Sequence, residues 1–213
     1  MTRHVIDSTF HVLDWRRRVG GIYAHVRATP DPVAGHRIWA TERADLMASH
    51  PASPLLPGHR ESRVEVSAYD AALRFDAEVL PAEPERLEVP TGTDGVVVFD
   101  RIGAVRLGDL GTLDVWWLGS YGGGVFVPLR DGTSAVAAHG GYGGGRYLLD
   151  TVKGADLGSG APGRLVVDLN FAYHPSCAYD PAWACPLAPA GNRLEAPVLG
   201  GELYAGPWAH DPG

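Results

Sequence analysis

The sequence predicts a mainly β protein: an antiparallel barrel or sandwich-like sheet with two N-terminal helices and a long irregular C-terminal crossover. Three observations carry this expectation. From Arg63 onward apolar and polar residues alternate with a period of two, the mark of half-buried strands. Turns bearing Gly, Pro or Asp separate these runs at the spacing of about 8–12 residues seen in all-β folds. Before Arg63 the apolar spacing is three and four, which is the period of a helix.

The first helix is read from Thr9 to Ala28, with Val12, Trp15, Val19, Ile22 and Val26 on one stripe. Gly20-Gly21 inside it weakens the helix by about 1 kcal/mol per glycine relative to alanine, which leaves room for a bend or break there. Asp31-Pro32 reads as an N-cap followed by proline at the first helical position, opening a second helix to about Ser49. His36, Trp39, Arg43 and Leu46 share one of its faces. Pro51, Pro54 and Pro57 then remove donors and force extended geometry, so His50–Pro57 is a connector.

Strands are expected at Val64–Ala68, Leu73–Val79, Val96–Phe99, Ala104–Leu107, Leu113–Leu118, Val125–Leu129, Arg146–Leu149, Leu165–Asn170 and near Leu194–Val198. Tyr121 and Tyr142 each precede three glycines that lead into a strand. Neither run is a phosphate loop, because no Gly-Lys-Ser/Thr and no helix start follows. One domain over residues 1–213 is expected: a helical arm and Pro-rich connector (1–58), a β-rich core (59–170), and an irregular lid with a final strand (171–213).

The reactive residue types crowd into Arg164–Arg193. Within Leu165–Asn170 the alternation puts Leu165, Val167 and Leu169 on one side, and Asp168 and Asn170 on the other. If that second side faces a barrel interior, Asp168 is a site candidate, either raised in pKa by burial or paired with Arg146 or Lys153. If it faces water, it is the outer face of an edge strand. Beyond Asn170, Tyr173, His174, Tyr179 and Trp183 offer the apolar bodies and polar tips that line small-molecule pockets, or that plug a barrel end.

Cys177 and Cys185 are separated by seven residues, a spacing outside the zinc-knuckle patterns, so no metal is expected even with His174 and Asp180 nearby. Inert buried thiols, a reversible disulfide and a Cys177–His174 nucleophile pair all remain open. Lys153 is the only lysine among the 18 basic residues. A compact ammonium suits proton transfer or anion stabilisation, while the plain alternative is a surface lysine.

The run Tyr142-Gly-Gly-Gly-Arg-Tyr-Leu-Leu-Asp-Thr-Val-Lys-Gly-Ala-Asp156, the following Asp168–Pro189 stretch and Asn192-Arg193-Leu194 together resemble bacterial domain-of-unknown-function family 1684. The likeness extends to the Trp-containing N-terminal helix, the connector and the strands from Arg63. It implies a β-rich protein of unassigned activity, with Arg146, Asp168, Asn170, Tyr173, Pro175, Cys177, Cys185, Pro186 and Asn192 at matching positions. This chain departs from many members by carrying His174 where they carry asparagine.

A net charge of −7 argues against a nucleic-acid surface, which needs clustered cations to displace counterions. Arg16-Arg17-Arg18 is the only basic run, and on a helix its members point apart. No stretch approaches the roughly 18 apolar residues of a membrane span, and the N-terminus lacks a secretory apolar core, so a cytoplasmic location is expected.

The leading reading is a small-molecule-binding β-barrel suited to an anionic ligand, with Arg146, Asn170, Tyr173, Cys177, Tyr179, Trp183, Cys185 and Asn192 on the binding side. The alternative is a cofactor-independent enzyme in the same pocket, Asp168 or His174 as acid–base and Lys153 or Arg146 as anion stabiliser. The third is an interaction module, with the N-terminal helices offering a homodimer surface.

Overall fold

The computed structural model describes residues 3–61, 63–91, 95–119, 121–134 and 141–203. Helices α1 (Arg3–Ala28) and α2 (Pro32–Ser49) come first. The Asp31 carboxylate accepts from the Val33 amide at 3.0 Å with Pro32 behind it, so the expected cap is present. α1 remains helical through Gly20-Gly21, with no break there. Gly154, at φ +90°, faces the Gly20 backbone so closely that a Cβ there would sit 2.9 Å from the Gly20 nitrogen.

Seven strands follow: β1 (Arg74–Leu80), β2 (Arg86–Thr91), β3 (Gly95–Arg106), β4 (Thr112–Leu118), β5 (Gly124–Leu129), β6 (Arg146–Asp150) and β7 (Arg164–Asp168). All pairings are antiparallel, in the order β6-β5-β4-β3-β1-β7, with β2 added to β3. The sheet curls into a half-barrel. Tyr173, just beyond β7, pairs with Tyr147 of β6 and draws the two ends together.

The two segments expected at Val96–Phe99 and Ala104–Leu107 are one strand, β3, whose register shifts between Arg101 and Gly103. The first half pairs with β2 and the second with β1. Gly103 permits that exchange, since a Cβ there would meet the Leu80 carbonyl oxygen at 2.5 Å. Three further expectations are corrected. Val64–Ala68 forms a single bridge, Val66 to Glu202, in place of a strand; Leu194–Val198 is irregular; and β7 ends at Asp168, where residues 169–171 tighten into a 3₁₀ turn.

The main core lies between the helices and the sheet, joining Ile22, Trp39 and Leu46 to Val105, Leu113, Val127, Val167 and Phe171. A second cluster, Phe99, Trp116, Phe126 and Tyr147, occupies the other side of the central strands. β4 is therefore buried on both faces over Leu113–Trp116. Along α2, His36, Trp39 and Leu46 are buried as the spacing predicts. No described helix is long and apolar enough to cross a membrane.

Candidate functional site

The predicted site residues separate into three groups. Asp168 is fully buried, but its partners are not Arg146 or Lys153. Its carboxylate accepts from Arg74 at 3.1 Å, Tyr69 at 3.3 Å, and the Asn170 backbone and side-chain amides at 3.0 and 2.7 Å. The strand register is the reason, because Arg74 lies directly across from Asp168 in the β1–β7 ladder. Asn170 is likewise engaged, exchanging hydrogen bonds with the Asp70 backbone at 2.8 Å. Together these groups fasten the turn after β7 to the loop before β1.

Asn192 forms a second group. Its side-chain oxygen accepts from the Trp116 indole at 2.7 Å, and its amide donates to the Asp114 and Pro128 carbonyls at 2.8 and 3.0 Å.

The third group surrounds the C-terminal strap, residues 194–203. Arg146 donates to Asp131 at 2.8 Å and to the carbonyls of Val198, Gly200 and Glu202. Burial works to raise the Asp131 carboxyl, yet Arg146 holds it below the ordinary value. Glu202, fully buried, accepts from Arg43, from the Tyr179 hydroxyl at 2.9 Å and from the His174 backbone at 2.7 Å. Its burial opposes ionisation, but Arg43 and His174 outweigh that and bring it down to about 2. Burial also lowers the His174 imidazole against the pull of Glu202, whose carboxylate is 3.6 Å from Nδ1. Arg43 lies over the Tyr173 ring at 4.7 Å.

The proposed acid–base set is thus distributed: Asp168 is bonded to Arg74, His174 adjoins Glu202, Arg146 adjoins Asp131, and Lys153 reaches Asp150 at 3.6 Å from an exposed position. Lys153, Tyr173, His174 and Cys185 nevertheless line one small cavity of about 60 Å³, beside Arg43 and Asp150. That volume accommodates a few water-sized groups.

Both cysteines are thiols. Cys177 is buried in a 3₁₀ turn (Ser176–Ala178), and Tyr142 donates to its sulfur at 3.6 Å. The neighbouring sulfur is the largest influence on each thiol, raising Cys177 and lowering Cys185. Burial opposes the lowering at Cys185, while the backbone amides of Cys177 and Ser176 and the Lys153 ammonium favour its thiolate. The neighbouring Pro186 carbonyl accepts from the Tyr147 hydroxyl at 2.6 Å, which fixes the loop. Trp183 lies on the exposed side of that loop.

A larger cleft, about 430 Å³, adjoins the small cavity and shares Asp150 and Lys153 with it. Val96–Phe99, Leu118 and Phe126 form its wall, Ala184 and Pro186 of the lid close one side, and Arg16 and Lys153 bring positive charge. Sequence reasoning missed this wall, along with Arg43, Asp131 and Glu202. The apolar run Val96–Phe99 was readable as a strand, but its exposed face depends on which neighbours stop short of it.

The family model described as "Protein of unknown function (DUF1684)" matches residues 62–203. No curated protein matches the chain. Among solved structures, the chain is similar to an uncharacterized protein of Haloarcula marismortui determined by solution NMR. The identity is 29%, with 77% of this chain and 89% of that one covered and a TM-score of 0.52.

Proposed function

Starting from the chain's membership of the DUF1684 family, whose description assigns no activity, we propose that this half-barrel binds a small molecule with an apolar body and an anionic group. The cleft beside Lys153 carries the reading. Its volume falls within the range of about 300–1,000 Å³ typical of small-molecule sites. Val96 is 60% exposed on its wall, an apolar surface left open among the described residues.

Charge gives the ligand its polarity. Arg16 and Lys153 meet one carboxylate, Asp150, at the rim, leaving the pair of cations in excess. The Gly20–Gly154 contact anchors α1 beside the turn that carries Lys153, so Arg16 and Lys153 are held on one side of the cleft. An anion there would gain from both cations while its hydrocarbon covers Val96, Phe99 and Phe126.

A thermal-shift and calorimetric panel of aliphatic and aryl carboxylates, each paired with its neutral alcohol, tests this assignment. Carboxylates should stabilise the protein more than the alcohols, and Lys153→Glu or Val96→Asp should weaken binding by about tenfold or more. If no carboxylate binds, or if the variants bind as well as the parent, the cleft is not a ligand site.

A further inference from the structure

We infer that the ligand of the cleft is a hydroxy acid, a carboxylate whose hydroxyl lies a few bonds from the carboxyl group and enters the small cavity lined by Tyr23. The inference deepens the binding reading above and rests on it.

The two spaces meet at one pair of residues. Asp150 and Lys153 line the cleft of about 430 Å³ and the cavity of about 60 Å³ alike. A ligand held by its carboxylate at Lys153 therefore lies at the mouth of the smaller space, with its hydrocarbon turned toward Val96 and Phe126.

The smaller space is polar, but its charges are already compensated. Arg43 is bonded to the enclosed Glu202, and Lys153 is paired with Asp150. A second ionised group on the ligand would lose its hydration there without gaining an unpaired counterion. A neutral hydrogen-bonding group avoids that penalty.

Tyr23 identifies the group. Its side chain lines the cavity and is 3% exposed, and its hydroxyl makes no hydrogen bond among the described residues. Trp39 of the same core also has an unpartnered N–H, but that is a donor and cannot accept the phenol proton. A buried hydroxyl in this state carries a desolvation penalty that an acceptor on the ligand relieves. Asp150 offers the opposite capacity: it receives the Lys153 amide and ammonium and keeps lone pairs for a further donor. A hydroxyl is the smallest group that both accepts from Tyr23 and donates to Asp150. The cavity admits only a few heavy atoms, so a hydroxyl and its carbon fit while a bulky polar head does not.

The test uses the full chain with octanoate, (R)-3-hydroxyoctanoate and (S)-3-hydroxyoctanoate as probes, their affinities read by calorimetry. One hydroxy enantiomer should bind about tenfold more tightly than octanoate. Tyr23→Phe should remove that preference, bringing the two affinities within about twofold of each other. Because the phenol has no partner to lose, Tyr23→Phe should melt at the parental temperature or above it. The variant therefore stays folded for the measurement, and the comparison of probes on wild type depends on no variant at all.

The outcomes separate this inference from the reading beneath it. Binding of octanoate with neither hydroxy acid preferred overturns the hydroxyl assignment and leaves the cleft a carboxylate site. Failure of all the probes to bind overturns both. A preference that survives in Tyr23→Phe puts the hydroxyl elsewhere and ends the role given to the cavity. A destabilised Tyr23→Phe does the same, since its phenol would then already be satisfied in the free protein.

Discussion

Arg43 of α2 and Glu202 of the C-terminal strap form an ion pair across 159 positions of sequence, with the carboxylate wholly enclosed. The pair ties the helical layer to the strap. Tyr179 and the His174 amide use the remaining lone pairs of Glu202, so the buried charge is compensated on every side.

Replacing Glu202 by Gln should therefore be costly, because it preserves the shape and strands the Arg43 cation. A loss of about 3–5 kcal/mol is expected from urea unfolding. Arg43→Met combined with Glu202→Met should lose less than Glu202→Gln alone, since it removes both charges. A double variant as unstable as the sum of its parts would contradict the coupling.

Acid should destabilise the protein through the same carboxylate. The folded value of Glu202, about 2, lies below its ordinary 4.5. The stability it contributes is present above pH 4.5 and is lost as pH falls toward 2, where the folded form too must take up the proton. Denaturation midpoints measured across that window should decline in wild type and decline less in Arg43→Met/Glu202→Met.

Asn192→Ala should leave the Trp116 indole N–H and the Asp114 and Pro128 carbonyls without their partner in a dry environment. About 2–4 kcal/mol is expected for these orphaned groups. The urea midpoint should fall with an unchanged denaturant slope.

Gly154→Ala should loosen α1. The substitution meets both a left-handed backbone and the Gly20 nitrogen at 2.9 Å, for a combined cost of about 2 kcal/mol or more. Hydrogen exchange should rise around Gly20 while the β4 amides stay protected.

What the sequence disclosed follows the range of the interactions involved. The Asp31-Pro32 helix start is local chemistry and is present as expected. The alternation of Leu73–Val79 gave β1 within a residue or two. β2 was overlooked although Leu87 and Val89 alternate, because Pro84 and Pro90 bracket so short a run. The Val64–Ala68 pattern misled for the opposite reason, since Val64 is buried against Met47, Leu55 and Tyr179 while the segment meets the strap through one bridge and forms no ladder.

Partner choice was the least legible. Asp168 and Arg146 each carry a charge that burial obliges to find a counterion, which the residue types convey. Which counterion each finds depends on strand register: Arg74 lies opposite Asp168, and Asp131 follows the strand that pairs with Arg146. The cleft was hidden likewise, being assembled from β3, β4, β5, α1 and the lid, which are scattered along the chain.

The strap that Arg146 holds by three of its carbonyls has a bearing on how the molecule is made. On a ribosome, Arg43, Val66, Arg146 and Trp116 all emerge before the residues that complete their surroundings, Asn192 through Glu202. The nascent half-barrel must therefore wait with buried-to-be charges still wet, and its last contacts close only after nearly 160 further residues have followed Arg43 into solution. A chain stalled before Asn192 lacks the partners of Trp116, Arg43 and Val66, so its helices and sheet stay unfastened there.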